Sequence, residues 1–266
     1  MVALKWFFSR SRSTVPALRP TLVSLLPLLG VFLGPARLPA EGARVPVLLE
    51  LFTSEGCSSC PAADDLLARL GKEQPLPGIE IIPVAWHVDY WDHLGWKDRF
   101  ASRDYTARQY AYAQKKGWEQ VYTPQAVVQG QDHAVGSDRR RILALTKAAA
   151  QKPVQRLKLQ VRKTPGGRRI FVAVTGAMIG TPLTVALVEE SLVSDVKAGE
   201  NAGVKLKHSD VVRISGAANT VYEDGKSSWD AYGRDFQRET GILRAVAWQE
   251  EDGAVVAVGR SPKVFW

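Results

Sequence analysis

The chain has 266 residues, enough for one large or two modest domains with ordinary cores. Hydrophobic residues make up 45% and charged residues 23%, which argues against a disordered chain, and two cysteines are too few for a disulfide-dense scaffold. The net charge is +8, but five of the 35 basic residues and none of the 27 acids fall in residues 1–40; without that segment 30 bases face 27 acids, a net of +3, which makes no case for nucleic-acid binding.

Residues 1–40 have the three parts of an export signal. Lys5, Arg10, Arg12 and Arg19 form a basic flank, Thr21 to Gly34 is a leucine-rich apolar run, and Gly34, Ala36, Ala40, Gly42 and Ala43 supply a small-residue exit. The run is about 14 residues, short of the roughly 20 a membrane-spanning helix needs. Cleavage is expected between Ala36 and Ala43, with Ala40 the favoured site, leaving a periplasmic or secreted protein without a stable membrane span. The alternative is an uncleaved anchor or a buried helix.

Next comes Val45 to Thr53 (VPVLLELFT), apolar apart from Glu50 and the closing threonine, which reads as a strand buried on both faces. SEGCSSCP follows, and then a helix in which Ala62, Ala63, Leu66, Leu67 and Leu70 recur at helical spacing, with Gly71 as its stop. A second strand is expected over Ile79 to Trp86, an ordered aromatic-rich loop over HVDYWDHLGW, a helix from Lys97 to Lys116, a third strand over Gln125 to Gln129, and a helix capped by Asp138 that takes in the basic run Arg139 to Arg141 and reaches Gln151. Beyond Lys152–Pro153, polar and apolar residues alternate and Gly166–Gly167 and Asp252–Gly253 mark hairpins, as in an antiparallel β domain. Ala217 to Thr240 gives no clear pattern. The expected organisation is a signal segment (1–40), an α/β domain (41–151) and a β-rich domain (152–266).

The chemistry concentrates in Cys57 and Cys60, placed between a buried strand and a helix N-terminus. A disulfide closing so short a loop stabilises a fold by only about 2 kcal/mol, against about 3 for fifteen residues, so reactivity explains the pair better than stapling. The thiolate is the reactive species, and an ordinary thiol of pKa about 8.5 is only about 3% ionised at pH 7. Unpaired N–H groups and the helix dipole favour the anion. Cys57, at the junction, is expected to be exposed and to attack; Cys60, one turn on, to resolve the mixed disulfide. Pro61 fits a first turn, where an N–H has no intrahelical partner. A lone CxxC also occurs in zinc sites, so metal binding stays open. Glu55 would oppose thiolate formation. Thr123–Pro124, just before a strand, suggests a turn that is either cis or, as for most X–Pro bonds, trans. No GxSxG, P-loop or dinucleotide fingerprint is present.

With LLELFTSEG, CSSC, a helix, IEIIPVAW, a second helix and YTPQAVV in that order, residues 45–151 resemble a thioredoxin-like protein. The resemblance implies that Thr123 and a cis Pro124 face the cysteines and contact substrate backbone. It also implies a buried acid six residues before the first cysteine, but Leu51 stands there. Glu50 lies one residue back, on the other side of a regular strand. An irregularity would restore it as proton acceptor for Cys60; otherwise it is paired or sits at the sheet margin. The Ser58–Ser59 dipeptide is neither the Gly-Pro of thioredoxins nor the Pro-His of strong oxidants, so the direction of electron flow stays open. ELFTSEGCSSCP, WHVDYWD with LGW, YTPQ and the GENAG of Gly199 to Gly203 further resemble a domain-of-unknown-function family of secreted bacterial proteins with a thioredoxin-like half and a β-rich half.

These features point to an exported thiol–disulfide oxidoreductase, with Cys57 and Cys60 catalytic, Thr123 and Pro124 binding substrate, and a protein thiol or disulfide as partner. No organic cofactor is needed, since the Cys57–Cys60 disulfide is itself the redox centre. A second reading is a copper- or zinc-binding protein in which His87 or His93 joins the thiolates; soft sulfur and imidazole suit those metals. Against it, the loop's His87, Asp89, Asp92 and His93 can simply hydrogen-bond it into shape around Trp86, Trp91 and Trp96. His133 and His208, isolated in sequence, are expected at the surface or in turns. A third reading is a non-catalytic interaction module with an inert disulfide.

Overall fold

The run of apolar residues after position 44 becomes β1 (Val45–Thr53), buried along almost its whole length. The computed structural model describes residues 44–165, 169–232 and 241–265. From β1 the chain enters α1 (Cys60–Glu73), β2 (Ile79–His87), α2 (Arg103–Lys116), β3 (Gln125–Val128), β4 (Asp132–Val135) and α3 (Arg139–Ala149). β1 pairs in parallel with β2, from Val45 opposite Ile79 to Thr53 opposite His87 with no register shift, and antiparallel with β3. Side chains alternate along such a strand. Leu49 and Leu51 therefore meet α1 and α3, while Leu48 and Phe52 meet Tyr105 and Tyr112 of α2.

Local signals explain the helix ends. Ser102 caps α2 by accepting from Asp104 N, so that helix starts six residues later than Lys97. Asp138 caps α3 through Arg141 N. Gly71 does not end α1; the helix runs on to Glu73 and turns at Gln74, φ 48°. Gly71 is instead where the helix meets β2, since a Cβ there would lie 2.7 Å from Pro83 Cγ.

The rest of the chain is strand-rich: β5 (Gln155–Arg156), β6 (Lys158–Lys163), β7 (Arg169–Thr175), β8 (Leu183–Glu189), β9 (Leu192–Asp195), β10 (Lys205–His208), β11 (Val211–Ala217), β12 (Lys226–Tyr232), β13 (Ile242–Glu251), β14 (Ala254–Arg260) and β15 (Val264–Phe265). The result is a mixed α/β fold with one large sheet, in the order β4-β3-β1-β2-β11-β8-β13-β14-β5, with β15 beside β13. The segments expected as separate domains, 41–151 and 152–266, share this sheet, joined where Val211 pairs with Ala85 and Ala85 N donates to Asp210 O (2.8 Å). The described residues belong to one compact unit. Trp86, Phe52 and Val84 of the first half pack with Val246, Trp248 and Val258 of the second, so one apolar core spans the join.

On the opposite face of β8 and β13, the three-stranded sheet β12-β7-β6 closes another core around Ile170, Val172, Val185 and Leu187. Asp252 and Gly253, both at positive φ, turn β13 into β14 as expected. β12 lies inside the stretch that sequence left unassigned. The Gly166–Gly167 turn and the signal segment lie outside the described residues. Among those residues, no helix is long and apolar enough to cross a membrane.

Candidate functional site

The site is built where β1 gives way to α1. Cys57 and Cys60 form a disulfide with Cα atoms 5.4 Å apart. The connecting turn is closed by Cys57 N to Ser54 O (3.2 Å) and Cys60 N to Cys57 O (3.1 Å). Gly56 leaves room for the tryptophan loop, because a Cβ there would lie 3.0 Å from Trp91 Cβ. Ser58 and Ser59 are exposed, but Cys57 is 1% exposed and Cys60 0%. The expectation of an exposed Cys57 therefore needs correction: the junction is covered by residues that sequence distance hides.

The loop between β9 and β10 is bonded to this junction. Asn201, 5% exposed, donates from Nδ2 to Glu55 O (2.8 Å) and Cys57 O (2.9 Å). Glu200 Oε2 accepts from Ser58 N (2.9 Å). Trp96 stands beside Gly199 and donates from Nε1 to Glu55 Oε2 (2.7 Å).

The Thr123–Pro124 peptide is cis. Pro124 is buried beside the first turns of α1: a Cβ on Gly136 would lie 2.9 Å from both Pro124 Cβ and Ala63 Cβ. Thr123 Oγ1 accepts from Trp91 Nε1 (2.7 Å). The loop after β2 and the turn before β3 are thereby tied together, by the same Trp91 that borders Gly56.

Glu50 lies elsewhere. β1 is regular, so Glu50 points to the α2 face, away from α1. It accepts from Arg108 Nε (2.6 Å), Tyr112 OH (2.5 Å) and Trp86 Nε1 (2.9 Å), and Arg108 Nη2 also donates to Glu250 (2.6 Å). Glu50 is 0% exposed and fully engaged, so it does not serve Cys60 as proton acceptor.

His87 and His93 do not meet the cysteines in a ligand set either. His87 Nδ1 is 2.6 Å from Asp98 Oδ2, both groups buried, and His93 Nδ1 is 2.7 Å from Tyr90 O. Asp89 accepts from Thr106 (2.6 Å) and Asp92 from Asp98 N (3.1 Å), so the polar residues of this loop hold its shape. Among the described residues, no group of three or more His, Cys, Asp or Glu side chains is placed to hold a metal.

Sequence reasoning missed a buried charge cluster around the disulfide. His208, 4% exposed rather than at the surface, sets Nε2 3.3 Å from Glu55 Oε1 and Nδ1 3.4 Å from Asp64 Oδ2. These are ion-pair distances rather than aligned hydrogen bonds. One imidazole therefore bridges the residue two before Cys57 and the residue four after Cys60. Burial alone would lower the His208 pKa, but Asp64 and Glu55 push it up to about 9. Burial would raise that of Glu55, yet His208 leads the contacts that hold it below the ordinary carboxylate value. Burial likewise opposes ionisation of Asp98, and His87 outweighs it. Alternation along β10 carried a signal, since Leu206 and His208 both point inward. His133, half-buried, is 2.9 Å from Tyr122 OH and packs on Trp118, away from this cluster.

Comparison with known proteins follows the same architecture. No curated protein sequence is similar enough to count as a relative. A crystal structure of a protein from Agrobacterium tumefaciens is similar at 26% identity and TM-score 0.63, over 84% of this chain and 95% of that one. HBP35 of Porphyromonas gingivalis shares the fold at 17% identity and TM-score 0.57, over 82% of this chain and 75% of that one. The family model "Protein of unknown function (DUF1223)" matches residues 48–249, from β1 through the cysteines to β13, and the chain belongs to this family.

Proposed function

We propose that the protein is an exported thiol–disulfide oxidoreductase whose first half is thioredoxin-like. The observation that carries this reading is the Cys57–Cys60 disulfide at the N-terminus of α1, together with a cis Thr123–Pro124 peptide whose proline borders Gly136 alongside Ala63 of that helix. Supporting it, β4-β3-β1-β2 form a sheet with α1 and α3 on one face and α2 on the other, and β1 feeds directly into the CxxC turn. In the reduced pair the Cys57 thiolate attacks the partner's disulfide, Cys60 displaces the partner as its dithiol and the Cys57–Cys60 bond re-forms, while Thr123–Pro124 positions the partner's backbone; a dithiol partner runs the same exchange in reverse on the oxidised pair. The partner is a protein thiol or disulfide met in the periplasm or outside the cell. The cysteine pair itself carries the electrons, and no organic cofactor takes part.

The test is exchange between the protein and a disulfide-linked model peptide with reduced glutathione present to keep the Cys57–Cys60 pair reduced, followed by mass spectrometry against a control without protein. The reading expects turnover by the unaltered protein, none by Cys57→Ser, and a peptide adduct trapped on Cys57 in Cys60→Ser. No turnover, with no adduct in Cys60→Ser, would refute it.

A further inference from the structure

The β9–β10 hairpin lies outside the large sheet, yet its loop makes three hydrogen bonds to the four residues Glu55 to Ser58. Two come from Asn201 and go to carbonyls; a side-chain amide that is 5% exposed and donates twice is a latch. The third brings a carboxylate. Glu200 is exposed, and the Ser58 backbone N–H followed by the Ser58 hydroxyl holds its pKa below the ordinary carboxylate value. α1 has no acid in its first turn, and its N-cap Ser59 makes no side-chain cap bond. The carboxylate bonded to the Ser58 backbone N–H, next to the N-cap, thus comes from a loop 142 residues away in sequence, while Asp98 holds the Glu55 N–H further back in the turn.

That position matters once the disulfide opens. A dithiol donor gives up two electrons and becomes a disulfide. The Cys57–Cys60 bond breaks, one proton goes to Cys60 Sγ, the other goes to solvent, and Cys57 is left as thiolate. The new anion belongs to the residue next to Ser58, whose N–H holds the Glu200 carboxylate, and two residues from Glu55. Glu55 is buried and tied to His208 and Trp96, but Glu200 is free to swing into solvent. Like charges a few ångströms apart near a surface shift an equilibrium by about threefold to tenfold.

Resting on the reading that the pair is reduced and oxidised in use, we propose that Glu200 is a positioning residue for it: the Glu200–Asn201 loop closes over the disulfide form, and the Cys57 thiolate drives it off. The fold carries a cap that opens on reduction and uncovers Cys57, which the closed loop leaves 1% exposed. Glu200 also stabilises the oxidised form, so its neutralisation makes the pair easier to reduce.

Hydrogen–deuterium exchange before and after reduction with dithiothreitol tests this directly. The amides of Gly203 and Val204 are good reporters, because they bond to Val196 O (2.9 Å) and Asn201 O (3.0 Å) within the closed loop. In the unaltered protein, exchange over residues 196–204 should rise about threefold to tenfold on reduction, while β8 and β13 stay unchanged. In Glu200→Gln, an exposed and isosteric change, the rise should vanish, and the reduction potential should move upward by about 15–30 mV, the same factor at about 30 mV per tenfold for two electrons. Equal protection in both redox states overturns the proposal. An undiminished rise in Glu200→Gln overturns the role of Glu200. Dithiothreitol reduces the pair whether or not the protein exchanges with other proteins. A responsive loop with no peptide exchange therefore sinks only the oxidoreductase reading, and the reverse result sinks only this one.

Discussion

His208 offers the sharpest test of the buried cluster. Its imidazole is 4% exposed and lies between Glu55 and Asp64, and its pKa stands at about 9 against 6.5 for the free group. A raised pKa stabilises the fold fully below the unfolded value and ceases to do so as pH rises through the folded one. The difference of about 2.5 units corresponds to about 3 kcal/mol. His208→Gln removes the cation and leaves two buried acids facing each other, a change of the kind that costs about 3–5 kcal/mol. Urea unfolding of both proteins at intervals from about pH 5.5 to 9.5 supplies the assay; its lower limit avoids the acid range in which Glu55, whose pKa is depressed, loses its own contribution. The unaltered protein should exceed the variant by about 3 kcal/mol near pH 6, and the gap should close progressively between about pH 6.5 and 9.5. A gap that stays constant across that range, or one below about 1 kcal/mol at pH 6, refutes the argument.

Other consequences follow from the same geometry. Arg108→Ala strands Glu50 without its cation and should cost about 3 kcal/mol in urea unfolding, whereas Glu50→Gln should leave the Cys57–Cys60 potential within about 10 mV, because Glu50 faces α2 and not the disulfide. A potential that moves well beyond that would restore Glu50 to the redox chemistry. Gly136→Ala pushes a methyl against Leu51, Ala63 and Pro124 at 2.6, 2.9 and 2.9 Å and should destabilise the protein by about 1–3 kcal/mol. An unchanged denaturation midpoint there would mean that the packing of Pro124 against α1 is looser than described.

Much of the first half could be read from sequence because its signals are local. The apolar run of β1, the cysteines at a strand-to-helix junction, Asp138 as a cap and the Asp252–Gly253 turn each depend on neighbours within a few residues. Glu50 was decided by a local rule as well: a regular strand alternates, and this one does. What stayed hidden depends on distant pairing. Nothing near Ala85 or Val211 announces that a single parallel pair continues one sheet into the second half. The Cys57 carbonyl is held by Asn201, 144 residues away. His208 looks isolated in sequence because its partners Glu55 and Asp64 flank the cysteines. GENAG stood out as a shared motif without a physical reason, and its contacts with residues 55–58 now supply one.

The reduction potential of the Cys57–Cys60 pair, measured against glutathione buffers with alkylation of the free thiols, tests the central claim most directly. A working oxidoreductase should fall between about −120 and −270 mV, and the value gives the direction of electron flow. A potential below about −300 mV marks a structural bond and contradicts the account.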